Sequence, residues 1–210
     1  WELNGFEPNL RAREAVLSIP GMKEVYDSRL AEVPGVFDVI SIVHALEHIE
    51  NPVPVLVELR NMLTPGGHLL IEVPYFPDNP FDLLIADHCT HFTIATLLPV
   101  LAAAGLEALV MRTDTVAKEM TVLARRARAD KLAPACVSPT TSADVRQAVD
   151  DALAWLQVVA AESRTIAKSG QFGLFGTSIS ANWLYGELME YVQFFIEEDS
   201  NRIGITYRER

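Results

Sequence analysis

The amino-acid sequence predicts an α/β fold with a doubly wound, mostly parallel sheet and an antiparallel edge strand. Two observations carry that expectation. Short apolar runs alternate with helical stretches of roughly ten to fifteen residues, the pattern of parallel strands joined by crossover helices. Half of the 210 residues are hydrophobic, enough to form a sizeable core in one domain, or in a domain with a small appendage.

The elements follow in order. Residues 1–7 read as a short strand, and Pro8 opens a helix through Ile19. Gly21 ends that region, and residues 23–28 read as a second strand. Residues 35–46 form a near-continuous apolar run, which suits a strand buried on both faces. Pro52 starts a helix in which Val55, Leu56, Leu59, Met62 and Leu63 recur at helical spacing. Thr64-Pro65-Gly66-Gly67 stops it, and residues 68–74 form the next strand. A loop rich in Pro and Asp covers 75–89, followed by a helix over 93–104 capped by Gly105. Residues 106–113 and 119–126 read as strands joined without a helix, hence the antiparallel edge. These elements make one expected domain, residues 1–126. Residues 127–143 read as a linker, after which Ser142 or Asp144 caps a long helix to about Ala167. A strand, a helix and a strand over 171–199 complete one βαβ unit, so 144–210 is expected to be a second, partial unit.

Composition narrows the function. There are 28 acidic and 17 basic residues, for a formal charge of −11, which argues against a broad nucleic-acid footprint. The basic cluster at 124–131 is short and reads as a solvated linker or helix end. No apolar run approaches the ~18 residues of a membrane span. Two distant cysteines, Cys89 and Cys136, suit neither a disulfide framework nor a Cys-rich zinc site. A reducing cytoplasm fits that usage. The sequence opens at Trp1 directly in strand-like residues and closes in strand-like residues, so a piece of a longer protein is expected.

One string invites a metal reading. His44-Ala-Leu-Glu47-His48 has the H-x-x-E-H form of some zinc proteases. That chemistry needs both histidines on one helical face. Here His44 ends a β-rich run and the next helix starts near Pro52, so no metal site is expected from the string.

The surroundings of that string point elsewhere. Over residues 37–74, Phe37 and Asp38 on a strand, Leu46-Glu47-His48, and Pro65-Gly66-Gly67 closing a helix resemble the class I S-adenosylmethionine-dependent methyltransferases. The resemblance implies a Rossmann-like fold, methyl transfer and S-adenosylmethionine as cofactor. It places Glu7, at the end of the first strand, on the adenosine ribose. The residue itself also reads as a helix N-terminal acid favoured by the dipole. Asp27 or Ser28 would approach the adenine, and His44 the cofactor, with Glu47 and His48 organising the loop. The family's glycine-rich first loop, and the strand before it, have no counterpart ahead of Glu7. That strand would lie between the strands of residues 1–7 and 36–44, so these 210 residues alone are expected to bind the cofactor poorly.

Residues 72–109 narrow the resemblance to methyltransferases with a further C-terminal domain, including C-methyltransferases of nucleotide-linked deoxysugars. Asp87-His88 falls on a Glu-His pair that supplies the base region in that group, and Ile85 stands where the group has Tyr. The resemblance implies His88 as the base, Asp87 as its support, and a small-molecule substrate, with a sugar carbon as one candidate acceptor. Removing a proton beside a carbonyl suits an imidazole, whose ordinary pKa is ~6.5. His91 reads as a helix-start residue packing near Phe92. In the C-terminal unit, Gly173, Gly176 and Asp199 resemble a nucleotide-fold turn and its ribose carboxylate, or else a tight turn in a purely structural unit. Two further readings compete with an enzyme of this type: a non-catalytic interaction module, and the zinc hydrolase just set aside. Oligomeric state is not legible.

Overall fold

The computed structural model describes residues 2–27, 29–128, 139–202 and 204–206. β1 (Leu3–Phe6) and β2 (Met22–Tyr26) pair in parallel across α1 (Leu10–Leu17). Asn9, rather than Pro8, caps α1, its side chain accepting the Arg11 N–H at 3.1 Å. β3 (Phe37–Val43) pairs in parallel with β4 (Leu63–Pro74) across α2 (Pro52–Asn61). α3 (Ile94–Ala103) leads into β5 (Leu106–Arg112) and β6 (Glu119–Arg126). α4 (Pro139–Ala167) precedes β7 (Phe172–Phe175), α5 (Ile179–Leu188) and β8 (Val192–Ile196), and β7 pairs in parallel with β8.

Strands alternate with helices as expected, but they do not form one sheet. The described strands form three, ordered β1-β2, β3-β4-β6-β5 and β7-β8. The antiparallel strand is not at the edge. β5 and β6 are joined without a helix, so they must run antiparallel, and β6 slots between β5 and β4. β3, expected to be buried on both faces, is half exposed, with Val39 at 45% and Val43 at 47%. The reason is its position: among the described strands, only β4 pairs with it.

α2 ends at Asn61 with Met62 as its cap, before Thr64-Pro65-Gly66-Gly67, and Leu63 already belongs to β4; the tetrapeptide lies inside β4, where the register with β3 jumps from Phe37↔Leu63 to Val39↔His68. Gly66 takes φ +91° to make that bulge. α4 begins at Pro139, so the last part of the expected linker 127–143 is helical. The rest of that linker beyond Arg128, together with Cys136, lies outside the described residues.

The main core is one face of the four-stranded sheet. Leu69, Ile71 and Val73 of β4 oppose Ala124, Val122 and Met120 of β6, and all six are fully buried. Leu56 and Leu59 of α2 and Leu97 and Leu101 of α3 cover that face. Thr93 caps α3, its hydroxyl accepting the Thr96 N–H at 3.2 Å while the Thr96 hydroxyl accepts the Thr93 N–H at 2.8 Å. A smaller core of Leu174, Tyr185, Leu188 and Val192 serves β7, β8 and α5.

Gly67 shows how tightly the bulge packs. A Cβ there would meet the Phe37 carbonyl oxygen and the Thr64 hydroxyl at 3.0 Å, and the Asp38 carbonyl oxygen at 3.1 Å. Gly67→Ala is expected to lower stability by about 1–3 kcal/mol, the usual cost of forcing a methyl against fixed backbone. Urea denaturation with an unchanged midpoint would contradict that.

Candidate functional site

The candidate site lies beyond the carboxyl ends of β3 and β4, where open α/β sheets place their ligands. Three segments meet there. The first is the end of β3 and the 3₁₀ turn Leu46–His48. The second is the 3₁₀ turn Pro80–Leu84. The third is the stretch from Ile85 to Thr93, stitched to the first by the Thr90 N–H donating to the Glu47 carbonyl at 3.1 Å.

Asp82 is the centre of this arrangement. It is 1% exposed. Its Oδ1 lies 2.7 Å from His88 Nδ1 and its Oδ2 lies 2.7 Å from His91 Nδ1. An ionised carboxylate only accepts, so each ring puts its N–H on Nδ1 and keeps its lone pair on Nε2. The His88 side chain is 7% exposed and that of His91 is 29%.

Phe81, beside Asp82 in the same turn, faces the other way. Its ring packs edge-on against Trp155 of α4 and Trp183 of α5, with centroids 5.6 and 5.8 Å apart. The aromatic trio braces the turn that holds Asp82.

His44 follows β3 with φ +47°, a left-handed conformation rare for a non-glycine residue. Its N–H donates to the Glu72 carbonyl at 3.0 Å. Its ring sits among three carboxylates: Glu47 at 3.7 Å, Glu72 at 3.7 Å and Glu119 at 3.9 Å. Glu47 is 1% exposed, and its Oε2 has no hydrogen-bond partner among the described residues; Glu119 Oε2 is likewise buried without one. His48 Nδ1 lies 3.1 Å from the Asp87 carbonyl, and the His48 and His88 rings meet edge to face at 4.7 Å.

The residues singled out from the sequence divide into two places. His44 and His88 belong to one histidine–carboxylate cluster. Asp87 does not support His88: its side chain is 78% exposed and lies 3.5 Å from His48, while Asp82 takes the supporting position. Glu7 and Asp27 lie at the ends of β1 and β2, in the other parallel pair. Glu7 Oε1 accepts the Asn9 N–H at 2.7 Å, as a helix-start acid does, while Oε2 is not engaged by any described residue. Asp27 sits 3.5 Å from the Arg13 guanidinium. Ser28 lies outside the described residues. Among the described residues, no hydrogen bond or ion pair joins Glu7 or Asp27 to the histidine cluster. The basic cluster at 124–131 is not a linker where described: Arg125 pairs with Glu107 at 3.2 Å, and Arg126 donates to the Asn61 carbonyl at 3.0 Å.

Sequence reasoning missed Asp82, Glu72, Glu119 and the equivalence of His91 to His88. Asp82 was one of three aspartates in a Pro-rich loop, and the one adjacent to His88 drew the assignment. Pro80 was the available signal, since it starts the short turn that buries Asp82.

Residues 1–110 match the family model described as a methyltransferase domain, more than half of the 210 residues. The chain belongs to the methyltransferase-domain family. The match agrees with the resemblance of residues 37–74. Solved methyltransferase-fold structures also superpose. A LepI variant in complex with SAH and a substrate analogue aligns over 60% of this chain and 36% of its own, at 12% identity and TM-score 0.50. The mitomycin 7-O-methyltransferase MmcR aligns over 60% of this chain and 49% of its own, at 17% identity and TM-score 0.47. The N-methyltransferase NodS from Bradyrhizobium japonicum aligns over 60% of this chain and 74% of its own, at 16% identity and TM-score 0.46. The match thus spans about half the length of the mitomycin enzyme. At 12% identity and TM-score 0.50, the LepI comparison speaks to fold alone. No curated protein sequence matches significantly. Among the described residues, no helix of this methyltransferase-domain chain is long and apolar enough to cross a membrane.

The acidic wall of the cluster has a measurable signature. Burial raises the pKa of Glu119 above the ordinary glutamate value; His44 opposes that, and the charges of Glu72, Glu47 and Asp82 add to it. A carboxyl that holds its proton more tightly in the folded state contributes stability only in acid. As pH rises through the ordinary glutamate range, the unfolded chain ionises first and that contribution is lost. Glu119→Gln removes the loss. Its melting temperature should exceed the parent's at about pH 7 and converge on it at about pH 3. A difference that widens in acid would refute the assignment.

Proposed function

We propose that this chain is part of an enzyme that carries out S-adenosylmethionine-dependent methyl transfer to a small molecule, with a carbon of a nucleotide-linked sugar as the acceptor class, and that these 210 residues alone are inactive. The observation that supports it most is the pair of imidazoles anchored on Asp82 in the cleft of a methyltransferase-family sheet. Bound there, the cofactor supplies an electrophilic methyl group.

The described residues fit that cofactor at its ribose end. Glu7 keeps Oε2 free to accept a ribose hydroxyl, while Oε1 is held by Asn9. Asp27, Ser28 and His44 are assigned to the same ligand, at the adenine and along the strand ends. Residues 1–126 form the methyl-transfer unit in this reading, and 144–210 a partial nucleotide-fold unit with Asp199 near its Gly176 turn. These 210 residues hold no glycine-rich loop ahead of Glu7. β1 and β3 each have a described strand neighbour on one side only, which agrees with a missing strand between them. The span alone therefore binds the cofactor weakly. Calorimetric titration giving a micromolar dissociation constant for these residues would refute that statement.

The chemistry follows from the rings. A C–H bond beside a carbonyl breaks, its proton moves to His88 Nε2, and the electron pair stays on the acceptor as an enolate. Asp82 fixes the ring tautomer and stabilises the imidazolium that forms, as the buried aspartate of a catalytic triad does. A second reading gives the base role to His91. It shares the 2.7 Å contact with Asp82 and is more exposed than His88, so an acceptor reaches it more easily.

Turnover by the full-length protein should separate the two. Alanine at the residue that acts as base is expected to lower kcat about 10²–10⁴-fold. The other alanine variant should keep most of its rate, and both should bind S-adenosylmethionine with near-parental affinity. If neither substitution slows turnover, the proton route is wrong.

A further inference from the structure

Three side chains that can each offer a lone pair converge at the floor of the cluster. One ligand atom each from Glu47, His48 and His88 lies within 4.8 Å of the other two. His48 faces a backbone carbonyl through Nδ1, at 3.1 Å, and a carbonyl only accepts. The neutral His48 ring therefore carries its N–H on Nδ1 and its lone pair on Nε2, 4.0 Å from Glu47 Oε1. His88 is set the same way by Asp82. Glu47 is 1% exposed; its Oε1 lies 3.7 Å from His44 Nδ1, but its Oε2 receives no N–H or O–H from any described residue. A desolvated carboxylate facing two imidazole lone pairs is costly unless positive charge lies between them.

We propose that Glu47, His48 and His88 form a binding site for a divalent first-row transition ion of the zinc class. A proton on one ring satisfies one pair of acceptors, whereas a divalent ion satisfies all three at once. Two imidazoles and one carboxylate are the donor set of catalytic zinc sites, which leave a fourth position open. Magnesium and calcium prefer all-oxygen shells. The outer contacts fit as well. Metal-bound histidines donate their other ring N–H to a carboxylate or a backbone carbonyl, and here Asp82 and the Asp87 carbonyl take those positions. The other convergent group, Asp82, His88 and His91, is not proposed as a site, because both its ring contacts are hydrogen bonds at 2.7 Å.

This set is not the H-x-x-E-H string. The fold keeps Glu47 and His48 but replaces His44 with His88, forty positions beyond His48. An ion there takes the Nε2 lone pair of His88, which leaves His91 as the free base on Asp82. The inference rests on the location of the proposed active site, and not on methyl transfer.

The test is titration of the chelator-stripped, tag-free full chain with Zn²⁺ alone, followed by Co²⁺ as an optical probe. The expected result is one Zn²⁺ per chain, a rise in melting temperature with Zn²⁺ concentration, and Co²⁺ d–d bands of a low-coordinate nitrogen–oxygen site without a thiolate charge-transfer band. Glu47→Gln, His48→Ala and His88→Ala should each weaken Zn²⁺ binding at least tenfold, and Asp82→Asn about 10–100-fold. His44→Ala, which removes a neighbour of Glu47 but no proposed ligand, should weaken it less than any of these three ligand substitutions. Circular dichroism checks that each variant is folded, and the parental titration decides the matter if one is not. Absence of saturable binding, several weak ions per chain, or loss of binding in His44→Ala with retention in His88→Ala would each overturn the proposal. Zinc uptake without methyl transfer would refute only the proposed function. Methyl transfer by stripped protein that takes up no ion would refute only this inference.

Discussion

A buried carboxylate that receives two imidazole N–H groups at 2.7 Å constrains everything around it. Asp82 has little contact with water, so its charge is balanced by its partners or not at all. Those partners are three residues apart, on a stretch held by the Thr90 contact on one side and the Thr93 cap on the other. Moving Asp82 would leave two rings without orientation and one anion without compensation. Beyond the 3₁₀ turn Pro80–Leu84 the segment up to Thr93 is irregular, yet this one group ties it together through both rings.

The wider cluster follows the same logic. Glu47, Glu72, Glu119 and Asp82 line a region that also holds His44, His48, His88 and His91. Carboxylates buried at this density hold their protons, recruit histidine protons, or bind a cation. Glu119 is pushed toward the first response. His44, bent into a left-handed conformation, stands among three of the four carboxylates. The lone pairs around Glu47 invite the third. The proposed proton transfer and the proposed ion site therefore draw on one crowded set of carboxylates and imidazoles beyond the ends of β3 and β4.

The sheet was legible in the sequence because its signals are periodic. The alternation of Leu69, Ile71 and Val73, the recurrence of Leu56 and Leu59, and the Pro65-Gly66-Gly67 break each report a local geometry. The order of the strands was less legible. Nothing in 119–126 says that this strand enters between its hairpin partner and β4 rather than staying outside. The half-exposure of β3 depends on what pairs with it, which no property of Phe37–Val43 encodes. At the site, His88 draws attention in the sequence because it sits in a recognisable pair. Asp82 was not, because burial of a loop aspartate depends on a turn and on packing from α4 and α5, far along the chain. Adjacency in sequence favoured Asp87, but the adjacent side chain points into solvent.

The Phe81 contact has a consequence of its own. Phe81 and Asp82 are neighbours on one short turn, one gripped by Trp155 and Trp183 and the other by His88 and His91. The turn is thereby clamped from both sides. Residues of α4 and α5, about seventy to a hundred positions away in sequence, help to hold in place the turn that carries the buried carboxylate.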